Sequence, residues 1–232
     1  MKIKDVKPKG DIKESGYYQV VGNEAFAEIL RKVQSTTISN GIELEKIIYS
    51  NVKFKKFNKI NFDEFIDIVK NATTDLYFKS ISIGKEKFTI NSIIFSGKNK
   101  MILDSAYYSI EDNTLYLGEI KNGMGLDTKK SEKEIDSLSE LRKLCKNYLK
   151  LNIEIFIVLF ICTDLSHASI KTDRKDFLKY TGKEYCEKIG ISYDEIKKIR
   201  SEEGQENLEN IVTEMYKIPE IKNIINKIKK EN

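Results

Sequence analysis

Residues 101–121 read MILDSAYYSIEDNTLYLGEIK. Two apolar, aromatic-rich runs flank the turn residues Glu111, Asp112 and Asn113, which is the pattern of a β-hairpin. The second run ends on Glu119-Ile120-Lys121. In a strand, residues two apart share a face, so Glu119 and Lys121 stand side by side and Ile120 points away. The first run carries Asp104 among apolar and aromatic neighbours. A carboxylate buried there is costly unless it is paired or metal-bound. Fourteen residues separate Asp104 from Glu119, enough for an antiparallel return that brings them together.

The rest of the chain arranges itself around this hairpin. EAFAEILRKVQ has apolar residues at helical spacing, with Asn23 as a cap, and Ser39-Asn40-Gly41 reads as a turn into a second helix carrying Ile42, Leu44, Ile47 and Ile48. INFDEFIDIVKNA predicts a third helix capped by Asn61. LYFKSISIGKEKFTINSIIF alternates and predicts an earlier hairpin turning at Gly84-Lys85. Downstream, Ile135, Leu138, Leu141, Leu144, Cys145 and Tyr148 form one helical stripe, and NIEIFIVLFICT reads as a fully buried strand. Everything from about Asp173, including FLKYTGKEYCEKIG, reads as charged helix. The expectation is an α/β fold with a central mixed β-sheet flanked by helices. Residues 1–172 would form the core with its N-terminal helices, and 173–232 a helical C-terminal extension packed on it or on a partner subunit.

Bulk composition excludes several classes. The 232 residues are 40% hydrophobic and 33% charged, too apolar for a disordered chain. A net charge of +4 permits a nucleic-acid surface without demanding one. Cys145, Cys162 and Cys186 form neither a zinc ribbon nor a disulfide framework and fit a reducing cytosol. MKIKDVKPKG is not followed by an apolar signal-peptide region, and IEIFIVLFIC is too short to span a bilayer, so no membrane role is expected. His167 is the one histidine, which argues against His-rich metal sites and His-based nucleases.

An acidic residue followed two positions later by lysine occurs seven times, at Asp5, Asp11, Glu119, Asp127, Asp173, Glu195 and Glu220. Context singles out Glu119, which alone ends an apolar strand paired to another carrying an acid. The bland reading of Asp104, Glu119 and Lys121 is a surface ion pair of small energetic value. The chemical reading is phosphodiester hydrolysis without histidine. Hard carboxylate oxygens suit Mg²⁺, the cation acidifies water and neutralises phosphate charge, and a nearby lysine assists the attacking oxygen.

Asp104, Glu119-x-Lys121 across a hairpin, then a helix and a buried strand, resembles the PD-(D/E)XK nuclease superfamily, and within it the type II restriction endonucleases. SNGIELEKII resembles the leading helix of such enzymes, with Gly41 four residues before Glu45, and GEIKNGMGLDTKKSEKEIDSL resembles their post-motif loop and helix. The resemblance covers roughly residues 39–163 and departs from the pattern at Leu103, where the superfamily has proline. It implies a restriction-endonuclease-like core and a Mg²⁺-dependent, sequence-specific endonuclease of double-stranded DNA. Asp104 and Glu119 would bind Mg²⁺ with the Ile120 carbonyl, Lys121 would orient or activate water, and Glu45 would complete the site, with Glu43 as the alternative acid. It further implies a homodimer in the cytoplasm of a prokaryote. A repair or structure-selective nuclease, a catalytically inactive DNA-binding module, and an adaptor without a nucleic-acid role are the alternatives.

Other segments have two readings each. Lys129 and Lys130 at a helix start can hold a DNA phosphate or be solvated. Asn122 and Gly123 either make the turn or join a catalytic loop. VKFKKFNKI interleaves basic and aromatic residues as DNA-contacting loops do, but a solvated, aromatic-anchored connection is the better reading. His167 and Cys162 are read as structural.

Overall fold

The computed structural model describes residues 2–7, 11–83, 88–90, 93–95, 101–103, 105–123, 125–126, 128–170, 172 and 174–231. Two compact units emerge, residues 1–43 with 194–232, and residues 44–193. The sequence reading set its single boundary at 172/173 instead.

In the first unit, α1 (Gly16–Val21) is capped by Ser15, whose Oγ accepts from Tyr18 N at 3.2 Å, and it stops at Gly22 with φ of 64°. This helix precedes the first one expected. Asn23 then caps the next helix, its Oδ1 accepting from Phe26 N at 2.9 Å. That helix, α2, runs unbroken over Glu24–Asn51, so the expected turn at Ser39-Asn40-Gly41 is not there. Ser39 Oγ donates back to Ser35 O at 3.0 Å, and a glycine inside a helix costs only about 1 kcal/mol, which neighbouring turns offset. The helices α6 (Tyr193–Tyr216) and α7 (Pro219–Glu231) follow the sequence reading, with proline in the first turn of α7. Ile3, Val6, Ala27, Ile29, Ile196 and Ile218 are buried in this unit.

In the second unit, strands β1 (Lys55–Phe57), β3 (Leu76–Phe78), β8 (Ser105–Ser109), β9 (Thr114–Lys121), β11 (Asn152–Leu159) and β13 (Leu178–Thr181) form a six-stranded sheet in that order. The β3–β8 and β8–β9 pairs are antiparallel, and β1–β3, β9–β11 and β11–β13 are parallel, so the sheet is mixed. The expected hairpin is β8–β9, with Ser109 opposite Thr114 and Ser105 opposite Gly118, but Met101–Leu103 of its first run pair with Ile81–Ile83 instead. Helix α4 (Thr128–Tyr148) is the crossover from β9 to the parallel β11. Short strands complete the set: β2 (Ile60–Asn61), β4 (Ile81–Ile83) and β7 (Met101–Leu103) form a three-stranded sheet, β5 (Phe88–Ile90) pairs with β6 (Ile93–Phe95), and β10 (Gly125–Leu126) with β12 (Ser169–Ile170).

Two expectations need correction here. The alternating stretch 76–95 is not one hairpin: β3 pairs with β1 and β8, β4 with β2 and β7, and only β5 and β6 pair with each other. Gly84 and Lys85 lie outside the described residues. FLKYTGKEYCEKIG is not all helix: Leu178–Thr181 is the edge strand β13, and α5 (Gly182–Lys188) begins immediately after it. The switch is marked by a capping box, with Thr181 Oγ1 accepting from Glu184 N at 3.2 Å and Glu184 Oε2 accepting from Thr181 N at 2.7 Å.

The core lies on the sheet face covered by α3 (Phe62–Lys70) and α4. Phe62, Phe65, Ile66 and Val69 of α3 and Ile135, Leu138, Leu141, Leu144 and Cys145 of α4 pack on Leu76, Phe78, Leu115, Leu117, Ile155 and Ile157. Asn61 caps α3 as expected, accepting from Glu64 N at 2.9 Å. Tyr148, read as part of the α4 stripe, is 45% exposed and meets Phe62 edge-on at 6.0 Å between ring centroids. β11 is buried along Ile155–Leu159, as its continuous apolar run requires. The opposite face is aromatic: Tyr107 stacks on Tyr116 at 4.5 Å, and Ser105 Oγ lies 2.7 Å from the hydroxyl of Tyr185 on α5.

Candidate active site

Strand β9 delivers the acid and the lysine. Alternation puts Leu115, Leu117, Glu119 and Lys121 on the face covered by α4, and Tyr116, Gly118 and Ile120 on the other. Lys121 Nζ donates to Glu119 Oε1 in a short contact and lies 3.0 Å from Glu134 Oε1 on α4. The Glu119, Lys121 and Glu134 side chains are 16%, 28% and 27% exposed, so the cluster is semi-enclosed yet open to solvent. Burial works against the Lys121 charge, but the Glu119 and Glu134 carboxylates outweigh it, and the ammonium is held charged beyond the usual lysine range.

Helix α2 adds Glu45. Burial raises its carboxyl above the usual range, the Lys79 charge pulls it back, Glu119 pushes it up, and Lys121 lowers it. Glu45 is thus within the electrostatic reach of Glu119 and Lys121. Lys79 also lies 5.8 Å from the Tyr49 ring centroid, and Lys56 lies 5.5 Å from the same ring. The basic-aromatic segment at 52–60 is thus anchored on aromatic rings, with Lys55 over Phe57 at 5.6 Å.

Asp104 lies outside the described residues. Its chain neighbour Ser105 stands opposite Gly118, the chain neighbour of Glu119. Asn122 follows β9 directly and is half-exposed. Lys129 and Lys130 fall in the first turn of α4, and their side chains are outside the described set, as is that of His167 in the 3-10 turn Leu165–His167. Cys162 is buried, and its thiol donates to Asp164 O at 3.0 Å.

Two participants were not singled out from the sequence, Glu134 and Lys79. Glu134 sits in the charged run SEKEID. The signal that separates it from its exposed neighbours Glu132 and Lys133 is its place beside Ile135, which roots that side of α4 in the core.

Among the described residues, no three His, Cys, Asp or Glu side chains form a metal-binding group. The donors at hand are nonetheless hard oxygens of the kind Mg²⁺ takes: the Glu45 and Glu119 carboxylates and the Ile120 carbonyl. Lys121 O accepts from Phe160 N at 2.8 Å on the β11 side, so strand alternation directs the Ile120 carbonyl toward the β8 side. It is this oxygen chemistry that fits the donor set to the ion.

A mixed-sheet α/β chain with acids and a lysine gathered at the end of an inner strand is what the fold and the cluster define. No family model matches the chain. The type II restriction enzyme HhaII of Haemophilus parahaemolyticus is 32% identical over an alignment of 219 residues that covers 92% of this chain and 93% of that protein. The chain belongs to the type II restriction enzyme family, whose members are site-specific deoxyribonucleases. No helix among the described residues is long and apolar enough to cross a membrane.

Proposed function

We propose that this chain is a Mg²⁺-dependent, sequence-specific endonuclease of double-stranded DNA with the active site of a PD-(D/E)XK nuclease. The observation that carries the reading is Lys121 at the end of β9, contacting Glu119 and Glu134. Asp104, Glu119, Glu45 and the Ile120 carbonyl would hold Mg²⁺, which when bound supplies neutralisation of phosphate charge and acidification of water. Lys121 has three N–H donors; two serve the carboxylates, and the third orients the attacking water and stabilises negative charge growing on the non-bridging phosphate oxygens. Asn122, Lys129 and Lys130 follow the motif in sequence and are assigned to DNA phosphates near the cut.

Cutting both strands with one site per chain calls for a homodimer whose two-fold axis matches that of the DNA. The exposed Leu208, Val212 and Tyr216, spaced four apart on α6, supply an apolar stripe suited to such a contact.

The test is digestion of plasmid and phage DNA in Mg²⁺ and in EDTA, with Lys121→Ala in parallel. Discrete fragments that require Mg²⁺, and a rate about 10²- to 10⁴-fold lower in the variant, are expected. A smear that the variant loses would demote sequence specificity in favour of repair or structure-selective cutting. Intact DNA in every lane would overturn the enzyme reading and favour a binding module.

A further inference from the structure

Lys121 contacts two carboxylates of different kinds. Glu119 is two residues away on the same strand and is assigned above to the cation. Glu134 comes from α4, the crossover helix, with its Oε1 3.0 Å from Lys121 Nζ. It has no part in the Glu119-x-Lys121 pattern. Its backbone is fixed by its neighbours, since Ile135 is fully buried and Leu138 is nearly so. The side chain is half-enclosed, whereas Glu132 and Lys133 before it are exposed. A carboxylate can share its charge between an ammonium and a divalent cation only at a loss to one of them. With Glu119 as its one partner, Lys121 would compete directly with the cation for that group.

We propose that Glu134 is a positioning residue that keeps Lys121 in place at the site while Glu119 serves the divalent cation. This rests on the function proposed above. It assigns α4 a role in the site in addition to its role in the core. The packing of α4 beside β9 then determines both where the lysine stands and how strongly it competes for Glu119.

The test is a double-substitution cycle read by Mn²⁺ binding without DNA, followed by electron paramagnetic resonance, in wild type, Glu134→Gln, Lys121→Met and the double variant. Glu134→Gln should weaken Mn²⁺ binding about 10- to 100-fold, because Lys121 then leans wholly on Glu119. In the Lys121→Met background the same substitution should have almost no effect. Cleavage by Glu134→Gln should show a lower kcat at unchanged KM, with an unchanged Tm. Should Glu134→Gln not fold, Glu134→Asp keeps the charge but falls short of Lys121, and the same non-additivity is expected of it. Equal weakening with and without Lys121 would make Glu134 a direct ligand and overturn the inference, as would no effect in either background. If the wild type cuts DNA and binds Mn²⁺ but the cycle is additive, this inference alone fails. If it does neither, the function proposed above fails with it.

Discussion

Gly118 lies opposite Phe156 in the parallel β9–β11 pair, and a methyl group added to it would collide with the Phe156 ring. The glycine lets that ring lie flat on the strand, one residue before the acid of the site. Gly118→Ala should therefore cost about 1–3 kcal/mol in urea denaturation, and Phe156→Leu in the same chain should recover part of it. No recovery would mean that the strain is in the backbone. The thiols of Cys145 and Cys186 are both pushed up to about 12 by burial, with Glu187 adding to the second. At pH 8 they should react with thiol reagents only as the protein unfolds. Fast labelling of the native protein would show that these walls open locally. Lys121 and Glu119 were legible in the sequence because they sit two apart in one strand. Glu134 was not, because its partner is reached through the packing of α4 on the sheet.

Helix ends were the most readable elements. Asn23 and Asn61 cap as their sequence positions suggested, because an N-cap is a contact between residues three apart. The Thr181–Glu184 capping box is equally local, and Thr181→Ala should lower stability by about 1 kcal/mol, measured by thermal melting. Beside β13, Arg174 and Arg142 both reach Asp176 Oδ2 at 2.9 Å. The hydrogen bond from Arg174 leads the causes that hold Asp176 at about 2, below an ordinary aspartate. An acid with a depressed folded pKa stabilises the fold above its unfolded value and loses that contribution as pH falls through the folded one. The difference in stability between wild type and Asp176→Asn should thus be present at neutral pH and fade between about pH 4 and pH 2. The Asp176 side chain is 41% exposed, so the difference should be modest and shrink in high salt.

At the scale of the assembly, α6 carries the exposed apolar stripe. If Leu208 and Val212 belong to a contact between two copies, Leu208→Lys with Val212→Lys should shift the sedimenting species from dimer to monomer. Plasmid cutting should then change from linear product to nicked circle, because one site cuts one strand. A wild type that sediments as a monomer at micromolar concentration would remove the basis of that expectation. The two compact units were not legible in the sequence: the first joins residues 1–43 to 194–232, segments separated by the whole sheet-bearing unit.

The sequence by itself determined what depends on neighbours along the chain. These are the β8–β9 hairpin around its turn, the acid and lysine sharing one face, the α4 stripe apart from Tyr148, and the burial of β11. Each follows from a short period or a short turn, whose energetics are set within a few residues. The tertiary structure decided what depends on distant partners. Leu178–Thr181 became a strand because β11 offered it an edge, and α2 ran straight through Gly41 because helical hydrogen bonding on either side outweighed one glycine. Strands β3 and β4 found partners at 55–61 and 101–108 rather than in the segment after them. Glu134 came to Lys121 from helix α4, and helix α2 brought Glu45 within electrostatic reach of the pair. No local pattern encodes those meetings, because the free energy that selects them comes from packing between segments far apart in sequence.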